Sequence, residues 1–254
     1  MSHRFLVLGS QGFLGQSVLR KLAELDFNVL DVDLIGSPSH NIDLINGFGD
    51  LETLISTYKP EYILNLAAIS SQQACLNNSS MVYPLNVQFV DKLAQLCRIY
   101  EVKSLVHAST EWIYGPGPIT INSCEHPVFS YNLNLDLYSR SKLDSELILH
   151  RNSESFTDNH TKIIIYRFGI IYGNDQTYSN CAVDYFLKKS FNSHELKAKQ
   201  PNSARCFVSL DDITELLSET PEITSKLMQT NKILQTFNIQ GPRPYSLENI
   251  INYL

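Results

Sequence analysis

The stretch from Phe5 to Leu25 most constrains what this chain can fold into. A short apolar run, Phe5-Leu6-Val7-Leu8, leads into Gly9-Ser10-Gln11-Gly12-Phe13-Leu14-Gly15. The residues that follow carry Val18, Leu19, Leu22 and Leu25 at helical spacing. Strand, glycine turn and helix in that order are the context that gives a glycine pattern meaning. Gly9 permits the tight turn, Gly12 lets the backbone approach a pyrophosphate, and Gly15 lets the helix lie close to the strand. An anion held there would meet the free N–H groups and positive dipole end of the helix. The spacing is GxxGxxG instead of GxGxxG, and other α/β turns also contain glycines, so a second signal is needed.

That signal is an acid at the end of the next apolar strand, Val29-Leu30-Asp31-Val32-Asp33. Asp33 lies eighteen residues beyond Gly15, close to the ~20 expected of the carboxylate that accepts hydrogen bonds from an adenosine ribose. A carboxylate in that place repels a 2′-phosphate, so NAD is expected as the cofactor and NADP is disfavoured. Asp31 competes for the role, because both acids point the same way in an alternating strand. Asp33 is preferred because it sits at the carboxyl end, where ligands bind in open α/β sheets.

Strands alternate with helices along the chain, which predicts an α/β fold with a Rossmann-type doubly wound parallel sheet. Strands are expected near 4–8, 28–33, 61–66, 103–108 and 162–167, and helices near 12–25, 48–58, 81–100 and 136–151. The Pro- and Gly-rich stretch from Gly115 to Tyr131 reads as a loop, and the polar stretch from Asn152 to Thr161 as a surface turn. Residues 1–174 would form the dinucleotide-binding domain, and 175–254 a small C-terminal substrate lobe interleaved with the sheet. That lobe is expected to hold a helix near 178–190, a strand near 205–209, a helix near 211–218 and a strand at Thr236–Ile239. A net charge of −6 argues against nucleic-acid binding. No apolar run reaches the ~18 residues of a membrane span, so a soluble, cytoplasmic protein with no membrane partner is expected. The five cysteines lack CxxC spacing, which favours structural thiols over a metal site or disulfide framework.

A third signal lies in Tyr138-Ser139-Arg140-Ser141-Lys142. Tyr and Lys four residues apart share one helix face. An ammonium beside a phenol favours the phenolate and is expected to lower the tyrosine pKa, so that it exchanges protons near neutral pH. Taken alone, the pair also fits a surface helix with a solvated lysine.

Further segments are Asn41-Ile42-Asp43-Leu44, Asn65-Leu66-Ala67-Ala68, Tyr83-Pro84-Leu85-Asn86-Val87 and His107-Ala108-Ser109-Thr110-Glu111-Trp112-Ile113-Tyr114-Gly115. Tyr166-Arg167-Phe168-Gly169-Ile170-Ile171-Tyr172-Gly173 and Arg205-Cys206-Phe207-Val208-Ser209-Leu210-Asp211-Asp212 follow. In this order the chain, from Phe5 to at least Asn249, resembles the extended branch of the short-chain dehydrogenase/reductase superfamily. Within it, the chain looks like the NAD-dependent epimerase/dehydratase family. The resemblance implies that Tyr138 is a general acid/base, that Thr110 binds the same substrate oxygen, and that Lys142 also bonds the nicotinamide ribose. It implies a cofactor site made of Gly9, Gln11, Gly12, Phe13, Leu14, Gly15, Asp33, Asp43, Leu44, Leu66, Ala67, Ala68, Tyr138 and Lys142. Arg205 would face a substrate pyrophosphate, the competing reading being a solvated arginine at a strand start. Thr110 read without the resemblance is a strand-end hydroxyl capping a loop, and Arg167 serves structure. Dehydratases of the family carry Thr-Asp-Glu where this chain has Thr110-Glu111-Trp112, and an indole is no acid or base. The expected function is therefore a nucleotide-sugar epimerase or ketoreductase, an isomerase or oxidoreductase, with a homodimer as the assembly to consider. The alternative is a non-catalytic NAD(P)-binding regulatory or sensor protein of the same fold.

Overall fold

The computed structural model describes residues 2–115, 135–156, 160–173, 189–191 and 203–253. Seven parallel strands form the central sheet: β1 (Arg4–Leu8), β2 (Asn28–Asp33), β3 (His40–Asn41), β4 (Tyr62–Asn65), β5 (Ser104–Thr110), β6 (Lys162–Phe168) and β10 (Leu234–Ile239). Their order is β10-β6-β5-β4-β1-β2-β3. The chain winds outward from β1 to β3, then returns to the other side of β1 with β4. The crevice between β1 and β4 is therefore the switch point at which such sheets bind ligands. Both the glycine turn and Leu66–Ala68 leave the sheet there.

Helices α1 (Phe13–Glu24), α2 (Phe48–Tyr58), α5 (Phe89–Ile99) and α6 (Leu137–Ser155) flank the sheet, with α7 (Leu210–Ser218) packed on the same side as α1. Strands covered on both faces read as continuous apolar runs, and β1 shows why. Phe5 and Val7 join Val18 and Leu22 of α1 and Ile213 and Leu217 of α7 in one core cluster. Leu6 and Leu8 join Leu51 and Ile55 of α2, with Phe89 and Leu93 of α5, on the opposite face. The final strand at Thr236–Ile239 is present as part of β10, which pairs with β6 at the sheet edge. Of the described residues after 174, those of β10 thus belong to the main sheet, while β8, β9 and β11 lie in small two-stranded sheets.

Several elements differ from the sequence expectation. The helix expected near 81–100 begins at Gln72 and is broken into α3 (Gln72–Asn77), α4 (Ser79–Tyr83), a π-helical turn (Pro84–Gln88) and α5. Pro84 has no N–H to donate, and the Phe89 N–H reaches back to the Pro84 carbonyl, the wider ring of a π turn. Of the expected surface turn at 152–161, residues 152–155 are instead the end of α6, and both Asn152 and Thr161 make buried ties. Asn152 donates to Asp91 Oδ1 at 2.7 Å, and Thr161, fully buried, donates to the Cys97 carbonyl at 3.2 Å. The expected strand at 205–209 is split into β8 (Ala204–Arg205) and β9 (Phe207–Ser209), because the carbonyl of Cys206 between them turns to the Ile170 N–H. β9 pairs with β7 (Ile170–Tyr172), and β8 pairs with β11 (Tyr245–Ser246). Helices α8 (Thr220–Met228) and α9 (Leu247–Tyr253) complete the described chain. The helix expected at 178–190 and the loop from Gly115 to Tyr131 fall largely outside the described residues. Among the described residues, no helix is long and apolar enough to cross a membrane.

Candidate active site

The glycine turn packs as its spacing demands. Gly9 has φ +78°, and a Cβ there would lie 2.6 Å from the Ala67 nitrogen, so the turn touches the segment that leaves β4. A Cβ on Gly15 would lie 2.2 Å from the Gly9 oxygen. Gly12 differs: it is exposed, and a Cβ would meet that oxygen at an ordinary 3.4 Å. Gly12 caps α1 without any side-chain bond, and the first turn of α1 carries no acid. The helix N-terminus is therefore electrostatically unspent and open at Gly12, which fits a dinucleotide pyrophosphate. Phe13 and Leu14 open α1 half-buried beside it.

The two competing acids separate clearly. Asp31 is occupied by structure, accepting from Ser10 Oγ at 2.9 Å and from the Ser39 N–H at 3.0 Å. Asp33 accepts from the Gln11 N–H at 2.8 Å and the Leu34 N–H at 2.7 Å, which sets its carboxylate beside the glycine turn. Leu66, Ala67 and Ala68 are half-buried at the switch point, and the Leu66 N–H continues the ladder to the Leu8 carbonyl. Leu44 is a core residue, and Asp43 holds a local turn, accepting from the Ile45 N–H and from Asn46 Nδ2. The Asn46 side chain holds the Asp43 carboxyl below its usual range.

Thr110 ends β5, and Tyr138 opens α6 one residue after its start. Asp136 caps that helix by accepting from the Ser139 N–H at 2.9 Å, the usual role of Asp at this position. Thr110 lies beside Tyr138, where its hydroxyl favours the phenolate. Thr110 Oγ1 also accepts from the Trp112 N–H at 3.3 Å, so the loop-capping role is real as well. Lys142 is buried and donates through Nζ to the Ala108 carbonyl at 2.7 Å.

The expected lowering of the Tyr138 pKa is not what this arrangement gives. Burial pushes the phenol up to about 12, with Thr110 opposing. The Lys142 ammonium is turned to a backbone carbonyl, and its own burial brings it down to about 8 against the pull of Glu146. Desolvation is the largest influence on the phenol. The phenol thus rests as a protonated donor.

Arg205 is not a solvated arginine. It is 5% exposed, its guanidinium lies 4.3 Å from the Trp112 ring centroid, and Nε is 3.8 Å from Glu111 Oε1. Its Nη2 also approaches the Gly115 carbonyl at 3.4 Å. Glu111 is 1% exposed, and neither carboxylate oxygen has a well-formed hydrogen bond. Burial raises its carboxyl to about 7, with Arg205 opposing. The structure therefore places Arg205 against the loop that follows Thr110.

A polar seam lies behind the site, and sequence reasoning missed the parts that His107, Ser109, Ser145 and Glu146 play in it. His107, buried and held neutral by that burial, contacts Asn65 Nδ2 at 3.2 Å and Ser145 Oγ at 3.0 Å. Ser109 donates to Glu146, which also accepts from Arg167 Nε and Nη2. Asn86, in the π-helical turn, accepts from the Ile69 N–H at 2.9 Å and donates to Ser141 Oγ at 3.0 Å. The signal for Glu146 lay in its spacing, one further turn along the Tyr138–Lys142 face.

The model of the NAD dependent epimerase/dehydratase family matches residues 5–218, and the chain belongs to that family. NAD is the cofactor of this family of extended short-chain dehydrogenase/reductase enzymes. The chain is 25% identical to the uncharacterized UDP-glucose epimerase YtcB of Bacillus subtilis (strain 168), across 99% of this chain and 81% of that one. It is 28% identical to the dTDP-4-dehydrorhamnose reductase of Aggregatibacter actinomycetemcomitans, across 58% and 46% respectively. MoeE5, solved in complex with UDP-glucose and NAD, superposes with a TM-score of 0.78 over 98% of this chain and 80% of that one. At 19% identity that last likeness is one of fold.

Proposed function

We propose that the chain moves a hydride between a sugar carbon of a nucleotide sugar and NAD, as an epimerase or a ketoreductase, with Tyr138 as acid/base. The observation that carries this reading is the juxtaposition of Thr110 at the end of β5 with Tyr138 at the start of α6, with Lys142 one helical turn further along α6. Gly9, Gly12, Gly15 and Asp33 would hold the pyrophosphate and ribose, lined by Gln11, Phe13, Leu14, Leu66, Ala67 and Ala68. Asp43 and Leu44 would border the adenine. Bound NAD supplies the hydride acceptor or donor.

Thr110 orients the reacting oxygen, and Tyr138 Oη exchanges a proton with it. In the reductive direction the resting, protonated phenol is already the donor the step requires. In the oxidative direction Tyr138 must first lose its proton, and a Lys142 ammonium freed from the Ala108 carbonyl would stabilise the phenolate. Arg205 is proposed to grip the substrate diphosphate, since a guanidinium can bond two oxygens at once. In doing so it would share or exchange its contact with Glu111.

Two measurements test the reading. Mass spectrometry of the protein after denaturation reports retained NAD(H), expected of an epimerase, or an exchanged cofactor, expected of a ketoreductase. UDP or dTDP added with NADH should raise the melting temperature, as a ligand at a hundredfold excess over Kd stabilises by about 2.7 kcal/mol. Arg205→Ala should abolish most of that rise. No protection by either nucleotide, with Arg205→Ala silent, would overturn the nucleotide-sugar assignment. Bound NADH without turnover of any sugar nucleotide would favour the sensor.

A further inference from the structure

Three consecutive residues of β5 reach across to α6. His107 meets Ser145, the Ala108 carbonyl accepts from Lys142 Nζ, and Ser109 donates to Glu146. Tyr138, Lys142 and Glu146 follow one another at four-residue intervals on a single helix face. Glu146 is 1% exposed and Arg167 fully buried, and the two form a forked ion pair. Arg167 Nε lies 3.1 Å from both carboxylate oxygens, and Nη2 lies 2.7 Å from Oε2. Arg167 is itself fixed by Nη1 donating to the Tyr114 hydroxyl at 2.8 Å, which donates to Asn238 Oδ1 at 2.7 Å. The carboxylate is thus clamped from β5 and β6, and β10 backs Arg167 through Tyr114.

Such a clamp exceeds what tying a helix to a sheet requires, since a buried ion pair gives little net stability over apolar packing. Its placement one turn beyond Lys142 suggests an electrostatic purpose. The groups that face Lys142 are Glu146 on its own helix, Cys75 from α3 and His107 from β5. Burial keeps Cys75 as the thiol and His107 as neutral imidazole. Glu146, held in its ion pair with Arg167, is the carboxylate among these groups.

We propose that Glu146 is a positioning residue of the candidate catalytic pair, the fixed charge that keeps Lys142 an ammonium in its buried seat. Arg167 and Ser109 hold that carboxylate in place. The inference rests on the reading of Tyr138 and Lys142 as a catalytic pair.

The test is nuclear magnetic resonance of the full chain labelled with 15N-lysine, following the Lys142 Nζ signal against pH and assigning it by its loss in Lys142→Met. In Glu146→Gln the titration midpoint should fall by about one pH unit or more, the usual effect of removing an adjacent opposite charge. Because Glu146→Gln leaves Arg167 buried without its counter-charge, Glu146→Leu with Arg167→Met serves as a second variant that removes both charges. That variant removes the opposing Arg167 charge along with the carboxylate, so its midpoint should fall less than in Glu146→Gln while still lying below that of the unaltered protein. Midpoints that coincide with the unaltered protein in a folded variant would overturn the proposal. The titration needs no substrate, so it is read separately from turnover. An unaltered rate in Tyr138→Phe would instead remove the catalytic reading.

Discussion

The glycine turn divides folding from cofactor binding, and single alanine substitutions should separate the two. At Gly15 an added Cβ would sit 2.2 Å from the Gly9 oxygen and 2.7 Å from the Ser10 carbonyl carbon, all backbone. Neither neighbour can rotate away, so α1 must shift off the sheet at a cost of about 3 kcal/mol, the upper end of ordinary overpacking. At Gly9 the left-handed φ of +78° adds roughly 1–2 kcal/mol for a non-glycine residue. The clash with the Ala67 backbone at 2.6 Å adds to it. For a chain of this size ~1 kcal/mol moves the melting temperature by about 2–4 °C, so either change should lower it by roughly 6–12 °C.

Gly12→Ala meets neither obstacle. Its φ of −72° is open to any residue, and the nearest atom is at 3.4 Å. Alanine is a poorer N-cap than glycine by roughly 0.5–1 kcal/mol, which predicts a fall of about 1–4 °C. The methyl would stand where a pyrophosphate must approach the backbone, so NADH affinity should fall about tenfold or more, equivalent to about 1.4 kcal/mol. Circular-dichroism melts give the first quantity and isothermal titration calorimetry the second. The reasoning fails if Gly12→Ala melts as early as Gly15→Ala, or if it binds NADH like the unaltered protein.

If Asp33 accepts the ribose hydroxyls, fluorescence titration should show NADH bound well above NADPH, and Asp33→Ala should narrow the gap; equal affinities in the unaltered protein would sink the assignment. Tyr138→Phe should lower turnover of an accepted sugar nucleotide by at least ~10²-fold with NADH affinity little changed, whereas Lys142→Met should damage both. Glu111 should make stability depend on pH with a definite sign. Its folded pKa of about 7 lies above the reference 4.5, so its contribution is fully present below pH 4.5 and is lost as pH rises through about 7. Glu111→Gln removes that titration, and its melting temperature relative to the unaltered protein should climb between pH 5 and 7.5, by at most the equivalent of roughly 3 kcal/mol. Parallel melting curves across that range would show that Glu111 does not titrate there.

What the sequence made legible and what it hid follow one physical rule. Apolar periodicity reports burial, so β1, β2, β4, β5, β6 and the apolar faces of α1 and α2 could be read directly, and so could the glycine turn. Polar residues were read as exposed, and that inference fails wherever a polar side chain is buried with a partner. Asn152 and Thr161 were mistaken for a surface turn because their partners, Asp91 and the Cys97 carbonyl, lie about 60 residues away in sequence. Pro84 was read as lying inside a helix expected at 81–100, and the π-helical turn there could not be read without knowing that Asn86 reaches both Ile69 and Ser141. The same failure explains the Tyr138 pKa. The spacing placed Tyr138 and Lys142 on one helix, as α6 has them, but did not reveal that Lys142 would be buried and turned to the Ala108 carbonyl. Buried Ser141, Lys142, Ser145 and Glu146 share α6 with Leu143 and Leu149, a mixture that no apolar stripe reveals. A chain tolerates so many desolvated polar groups only where each is satisfied and where their placement serves something beyond stability. The elements that defeat the pattern therefore converge on α6, β5 and the π-helical turn, the three that position Thr110, Tyr138 and Lys142.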